Sequence, residues 1–173
     1  MALRLALASA IIIILVAVPL PAQELGVGGG WFQPNPLGGG WNGPRGPSID
    51  LTLTDWNGGL GWTLGGTSIF GRNDLGVTGR PNVYAFVGGR ARRMNSDGRG
   101  FIHVGVGAGP LFWPSDPAFR PETQIILRWH IEAGVTRELR DGLHLRTGVS
   151  VMPLGFRPLS VHPGARLVWT FGN

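Results

Sequence analysis

Apolar and polar positions alternate with a period of two along most of this chain, from about residue 24 to its end. That period puts successive side chains on opposite faces of an extended strand. The longest run is 123–138, where Ile125, Leu127, Trp129, Ile131, Ala133 and Val135 oppose Arg128, His130, Glu132, Gly134 and Thr136. In 100–112, Ile102, Val104, Val106 and Ala108 oppose His103, Gly105, Gly107 and Gly109. In 81–93, Val83, Ala85, Val87 and Ala91 oppose Asn82, Tyr84, Arg90 and Arg92. The same alternation predicts strands over 47–56 (Asp50, Thr52 and Thr54 on the polar side), 59–69 and 142–152 (His144, Arg146, Gly148 and Ser150 on the polar side). The last strand, 164–173, carries Ala165, Leu167, Trp169 and Phe171 on one face and Arg166 on the other. The first, 24–32, shows Leu25, Val27 and Trp31 against a face that is largely glycine.

The connections between these eight strands alternate in length. "NGG" (57–59), "NSDG" (95–98) and "RDG" (140–142) are tight-turn signals. The intervening connections, about 33–46, 70–80, 113–122 and 153–159, are longer and rich in Pro and Gly. Short turns then fall at one end and long loops at the other, which is the pattern of an antiparallel up-and-down meander.

A soluble sheet buries its apolar face under a second layer. Here no segment remains to form one. Eight strands that close on themselves solve the problem the other way round, with the apolar face turned to lipid and the polar face to the lumen. Closure also pairs every backbone group, which a bilayer requires. Strands of about 10 residues are long enough to cross when tilted. The expected fold is therefore all-β, an eight-stranded antiparallel up-and-down transmembrane β-barrel. Trp31, Trp62, Trp129, Trp169 and Phe171 would form its lipid-facing aromatic girdle. The competing architecture is a soluble periplasmic barrel with the apolar face inward around a ligand.

The amino terminus adds a destination. Arg4 precedes the apolar run "LALASAIIIILVAVPLP", and Ala22 precedes Gln23-Glu24. The run reads as a secretory signal peptide over 1–22, leaving 23–173 as the barrel domain. Composition changes the picture little. There is no cysteine, which excludes disulfides, zinc–thiolate sites and thiol nucleophiles. The 30 glycines and 14 prolines could signal disorder, but the regular alternation and 43% hydrophobic content argue for a folded chain. The formal net charge of +5 comes from arginines spread along the chain, so no nucleic-acid surface is expected.

With this pattern, the chain resembles the small eight-stranded bacterial outer-membrane proteins over 23–173. The most specific shared feature is the terminal strand: an aromatic, Phe171, preceded at two-residue steps by Trp169, Leu167 and Ala165. The resemblance implies a place in the bacterial outer membrane with both ends periplasmic. It implies contacts with outer-membrane lipid and lipopolysaccharide, and with the outer-membrane assembly machinery during biogenesis. It also implies a non-enzymatic structural or loop-mediated role, or narrow porin-like solute passage. One enzymatic branch of the architecture, the lipid A deacylases, carries a His-x-Ser-Asn motif. The nearest segment here is Gly148-Val149-Ser150-Val151, which keeps only the serine, so that activity is not carried over.

The polar face collects Asp50, Arg90, Arg92, His103, Arg128, His130, Glu132, His144, Arg146 and Arg166, with Tyr84 among them. Two chemical readings of this set are weighed: a hydrolytic group from His130, Glu132, His144 and Ser150, and a metal pair from His130 and His144. An interior filled by side chains, with its charges paired, accounts for the same residues without catalysis, metal or cofactor. The aromatics of the longer connections, Trp41, Phe112, Trp113 and Phe119, are expected at the outer rim.

Overall fold

The computed structural model describes residues 23–34, 45–70, 81–113, 123–153 and 159–171. The expected signal segment 1–22, the centres of the four longer connections with Trp41 and Phe119, and Gly172-Asn173 lie outside the described residues.

The eight strands are β1 (Gln23–Pro34), β2 (Gly46–Asn57), β3 (Leu60–Ile69), β4 (Asn82–Met94), β5 (Gly100–Trp113), β6 (Gln124–Arg140), β7 (Leu143–Pro153) and β8 (Leu159–Phe171). Each pairs antiparallel with its sequence neighbours, and β8 pairs back onto β1 to close the barrel. The register at closure sets Leu25 opposite Trp169 and Val27 opposite Leu167. The three tight turns each hold a glycine at positive φ: Gly58 at 61°, Gly98 at 67° and Gly142 at 71°. A side chain in that left-handed region is strained, so glycine sets these hairpins.

Strand existence and order follow the alternation; boundaries differ. The largest difference is β8, which starts at Leu159 rather than at 164. Pro163 explains the misreading. It lacks an N–H and reads as a strand breaker, yet here it sits on the outer face opposite Val149 of β7. On its other side the ladder with β1 skips from Gly30↔Gly164 to Gln33↔Val161, so the missing donor falls in an interruption.

The outer face is apolar from β1 round to β8. Leu127 is 76% exposed and Val104 58% exposed, and Ile49, Val87, Val106, Ile125 and Ile131 are likewise open. Apart from Leu53 of the outer face, 5% exposed, the buried side chains of the described residues lie inside. Toward the long-loop end, Phe32, Ile69, Tyr84, Phe86, Leu111, Trp113 and Met152 form an apolar cluster. Trp113 is therefore not at the outer rim: it alternates with Phe112 and points inward, 8% exposed. At the short-turn end Trp56 and Phe101 pack edge to face, with ring centroids 5.6 Å apart. Between these two apolar layers lies a polar one.

Candidate functional site: the barrel interior

The polar layer is built from inward positions of all eight strands. At its short-turn side, Arg146 Nη2 donates to Glu24 Oε2 at 2.5 Å, and Arg146 Nε donates to Thr136 Oγ1 at 3.0 Å. Arg92 stacks its guanidinium 4.5 Å from the Trp56 ring centre and donates to the Gly58 carbonyl. Deeper in, Arg90 pairs with Glu132 through Nε and donates to Thr54 Oγ1 at 2.8 Å through Nη1. Arg166 bridges two carboxylates, with Nε 3.5 Å from Asp50 Oδ2 and Nη1 3.7 Å from Glu132 Oε2. Toward the long loops, His162 Nε2 shares a 2.6 Å hydrogen bond with Ser48 Oγ. Tyr84 and His130 share another, at 2.9 Å.

The charges pair. Glu24, Asp50 and Glu132, the carboxylates buried on this face among the described residues, meet Arg90, Arg146 and Arg166, and Arg92 Nη1 lies 4.0 Å from Glu24 Oε1 as well. Asp50 is 0% exposed. Burying an ion without a partner is expensive, and removing one member of such a pair exposes that cost. The lattice holds the strands of one wall to those of another: the Glu24–Arg146 pair joins β1 to β7, and Asp50–Arg166 joins β2 to β8.

Glycine makes this lattice possible. An eight-stranded lumen holds only enough volume for its own side chains, so a long side chain needs a bare neighbour. A Cβ on Gly105 would come within 2.9 Å of both Arg90 Cγ and Glu132 Oε1. On Gly107 it would meet His130 Cε1 at 2.5 Å, on Gly65 the Phe86 ring at 2.4 Å, and on Gly134 His103 Cε1 at 2.7 Å. Gly30, Gly164, Gly148 and Gly134 oppose one another across β1, β8, β7 and β6 and form a trough in the inner wall. The cavity beside Gly148 and Gly164, lined also by His103, Arg146, His162 and Arg166, has a volume of about 20 Å³, room for about one water.

The ten polar residues singled out from the sequence all take inward positions, but they do not form one group. Asp50, Arg90, Arg146, Glu132 and Arg166 are in the lattice just described. His103 is buried beside Phe101, with ring centroids 6.2 Å apart. Arg128 is half-buried and makes no ion pair among the described residues, and His144 lies opposite Glu138 near the short-turn end. His130 is instead against Tyr84 and Phe86, so the conceived His130–His144 metal pair does not assemble. Nor does the hydrolytic group: His130 meets Tyr84, Glu132 meets Arg90, and Ser150 lies 3.5 Å from the Nδ1 of a different histidine, His162. Asp50 approaches His162 on Nε2, at 3.9 Å, the same nitrogen that Ser48 uses. That nitrogen already shares its 2.6 Å hydrogen bond with Ser48 Oγ, and Asp50 Oδ2 lies closer to Arg166 Nε, at 3.5 Å, so Asp50 makes no hydrogen bond that would orient the imidazole toward Ser150. On the outer face, Trp31, Trp62, Trp129 and Phe171 are exposed and Trp169 is half-buried; Trp62 Nε1 donates to Asp55 Oδ2 at 3.1 Å.

Two lattice members escape the sequence reading. Glu24 sits beside the expected cleavage point and reads as mature-terminus polarity, yet it shares the inner parity of Gly26 and Gly28. His162 lies before Pro163 and reads as loop, yet it is two and four residues from Gly164 and Arg166. Extending each strand's alternation outward would have placed both inside. The same step assigns Phe32, Trp56 and Phe86 to the interior, where they are buried.

No known family profile matches the sequence, and no curated protein matches it. The fold itself is shared with solved structures. The chain is similar to Neisserial surface protein A, NspA, at a TM-score of 0.67 and 11% identity, over 86% of this chain and 97% of that one. It is similar to the N-terminal β-barrel domain of Pseudomonas aeruginosa OprF at a TM-score of 0.59 and 8% identity, over 88% and 98%. A third similarity is to Ail, the attachment invasion locus protein of Yersinia pestis, solved in complex with the heparin analogue sucrose octasulfate. There the TM-score is 0.50 and the identity 13%, over 88% of this chain and 100% of that one. The chain thus shares the architecture of small eight-stranded outer-membrane barrels.

Proposed function

We propose that the protein spans the bacterial outer membrane as a closed, non-enzymatic barrel that anchors its four long loops at the cell surface, where they contact lipopolysaccharide or a surface partner. The observation that carries this reading is the polarity of the wall. Residues such as Leu127 and Val104 point outward and open, whereas Glu24, Asp50 and Arg146 point inward and are buried. In water this arrangement exposes most of the apolar surface; in a bilayer it places each face in its own solvent. A soluble ligand-binding barrel needs the reverse. The filled lumen favours anchoring over passage, because its cavities of about 20 Å³ are water-sized.

The test is fractionation followed by electrophoresis with and without boiling. The protein is expected in the outer-membrane fraction, with a mobility shift only after boiling. Recovery in the soluble fraction without a shift would overturn the reading. The enzymatic alternative has its own readout: the lipid A mass profile of cells with and without the protein. An unchanged profile is expected; a lost acyl chain would establish catalysis.

A further inference from the structure

The short-turn rim of the barrel is not uniform. Across β8, β1 and β3 its outer face carries Phe171, Trp169, Leu25 and Trp62, and Asp55 of β2 accepts from the Trp62 indole. On β4 and β6, on either side of β5, outward positions near this end are arginines. Arg93, near the end of β4, is exposed and lies opposite Ile102. Arg137 of β6 is exposed and lies opposite Gly100. The two therefore flank β5 on the same face, Arg93 level with Ile102 and Val135 and Arg137 one row nearer the turns. Neither side chain has a partner among the described residues. Gly100 stands opposite Arg137, and a Cβ there would lie 3.2 Å from Asn95 Nδ2, so the Asn95 amide lies beside this end of β5. The nearby carboxylates are turned elsewhere or stand apart. Asp97 Oδ1 accepts the Arg99 N–H at 3.0 Å, Glu138 is on the inner parity, and Asp141 sits in the next turn beside Arg140.

We propose that Arg93 and Arg137, on either side of β5, form a site for the phosphate of an anionic phospholipid in the leaflet at the short-turn end. The inference rests on the membrane-spanning reading. Its chemistry is that of guanidinium donors and phosphate oxygens. Arginines placed at the edge of an apolar band meet headgroups rather than bulk water, and an unpaired guanidinium there attracts an anionic surface. Phosphatidylcholine also carries a phosphate, but its choline cancels the charge, so the site should select phosphatidylglycerol over phosphatidylcholine.

The experiment uses the full barrel in nanodiscs of equimolar phosphatidylcholine and phosphatidylglycerol. The lipids that stay bound on release are identified by native mass spectrometry. Wild type should retain phosphatidylglycerol enriched about fivefold, the factor expected of one arginine near an anionic surface. Arg93→Gln/Arg137→Gln should return the retained lipids to the bulk ratio, while Arg45→Gln, at the opposite end, should keep the enrichment. No enrichment in wild type, or enrichment that survives the double substitution, overturns the site. A heat-mobility gel on the same samples separates that failure from failure to insert. Without a heat shift, the membrane-spanning reading falls and the site with it.

Discussion

Each large polar side chain inside this barrel depends on two neighbours, a counter-charge and a glycine. Glu132 is the carboxylate paired with Arg90 and lies close to Arg166 as well. Glu132→Leu strands the Arg90 charge in the lumen and should destabilise the barrel by about 3–5 kcal/mol, read as a lower urea midpoint for the heat-shift band. Arg90→Leu/Glu132→Leu removes both charges and should unfold at a higher urea concentration than either single variant; a double variant as weak as the sum of the two would refute the pairing. The glycine half has its own test. Gly105→Val forces a branched side chain against Arg90 and Glu132 and should cost about 1–3 kcal/mol. Gly89→Ala, whose added Cβ has its nearest atom at 3.9 Å, should stay within about 0.5 kcal/mol of wild type. Parity made most inward polar residues legible in the sequence. Their partners were not, because which arginine meets which carboxylate depends on register and tilt across strands far apart in the chain, as with Glu24 and Arg146. The grouping of Glu132 with arginines was legible in kind; the approach of His162 to Ser150 was not, because His162 stood outside the expected strand.

At the scale of the element, a strand here is recognised by having two unlike faces, and its stability in lipid depends on keeping them unlike. β5 shows this most simply: Val104 and Val106 face out, while His103, Gly105 and Gly107 face in. Val104→Arg puts a cation on the outer wall and should destabilise the inserted barrel by about 2–4 kcal/mol if that position lies near the bilayer midplane. Arg93 should tolerate the exchange Arg93→Lys, since it stands at the rim. Urea titrations of the two variants in vesicles give the comparison, and equal effects would mean that the outer face does not meet hydrocarbon. Strand order and hairpin positions were legible because Gly58, Gly98 and Gly142 mark turns that only a few sequences can make. The start of β8 was not legible. A proline inside a strand is tolerated where the ladder lacks a partner for it, and the interruption opposite Pro163 is a property of β1 and β8 together.

For the whole molecule, the three interior layers act in series. Trp56, Phe101 and Arg92 close the short-turn end. The ion-pair lattice fills the middle. Tyr84 and Phe86, stacked with ring centroids 5.3 Å apart, belong to the apolar cluster toward the long loops. Opening one layer leaves two others in the way. The wild-type barrel should therefore carry no steady current in a planar bilayer. Trp56→Ala/Phe86→Ala should carry none either, although it opens both apolar layers. Conductance should need a change in the middle layer, where Arg90, Arg146 and Arg166 pair with carboxylates on other strands. Arg166 is the informative position, since it links Asp50 to Glu132 between the two ends. Single-channel recording on wild type, Trp56→Ala/Phe86→Ala and Trp56→Ala/Phe86→Ala/Arg166→Ala orders the layers, since the second variant opens both apolar layers and the third opens the middle one as well. Current through wild type, or through Trp56→Ala/Phe86→Ala, would show that the polar lattice is no barrier and would return solute passage to the candidate roles. Silence in the first two with brief openings in the third would place the barrier among the ion pairs.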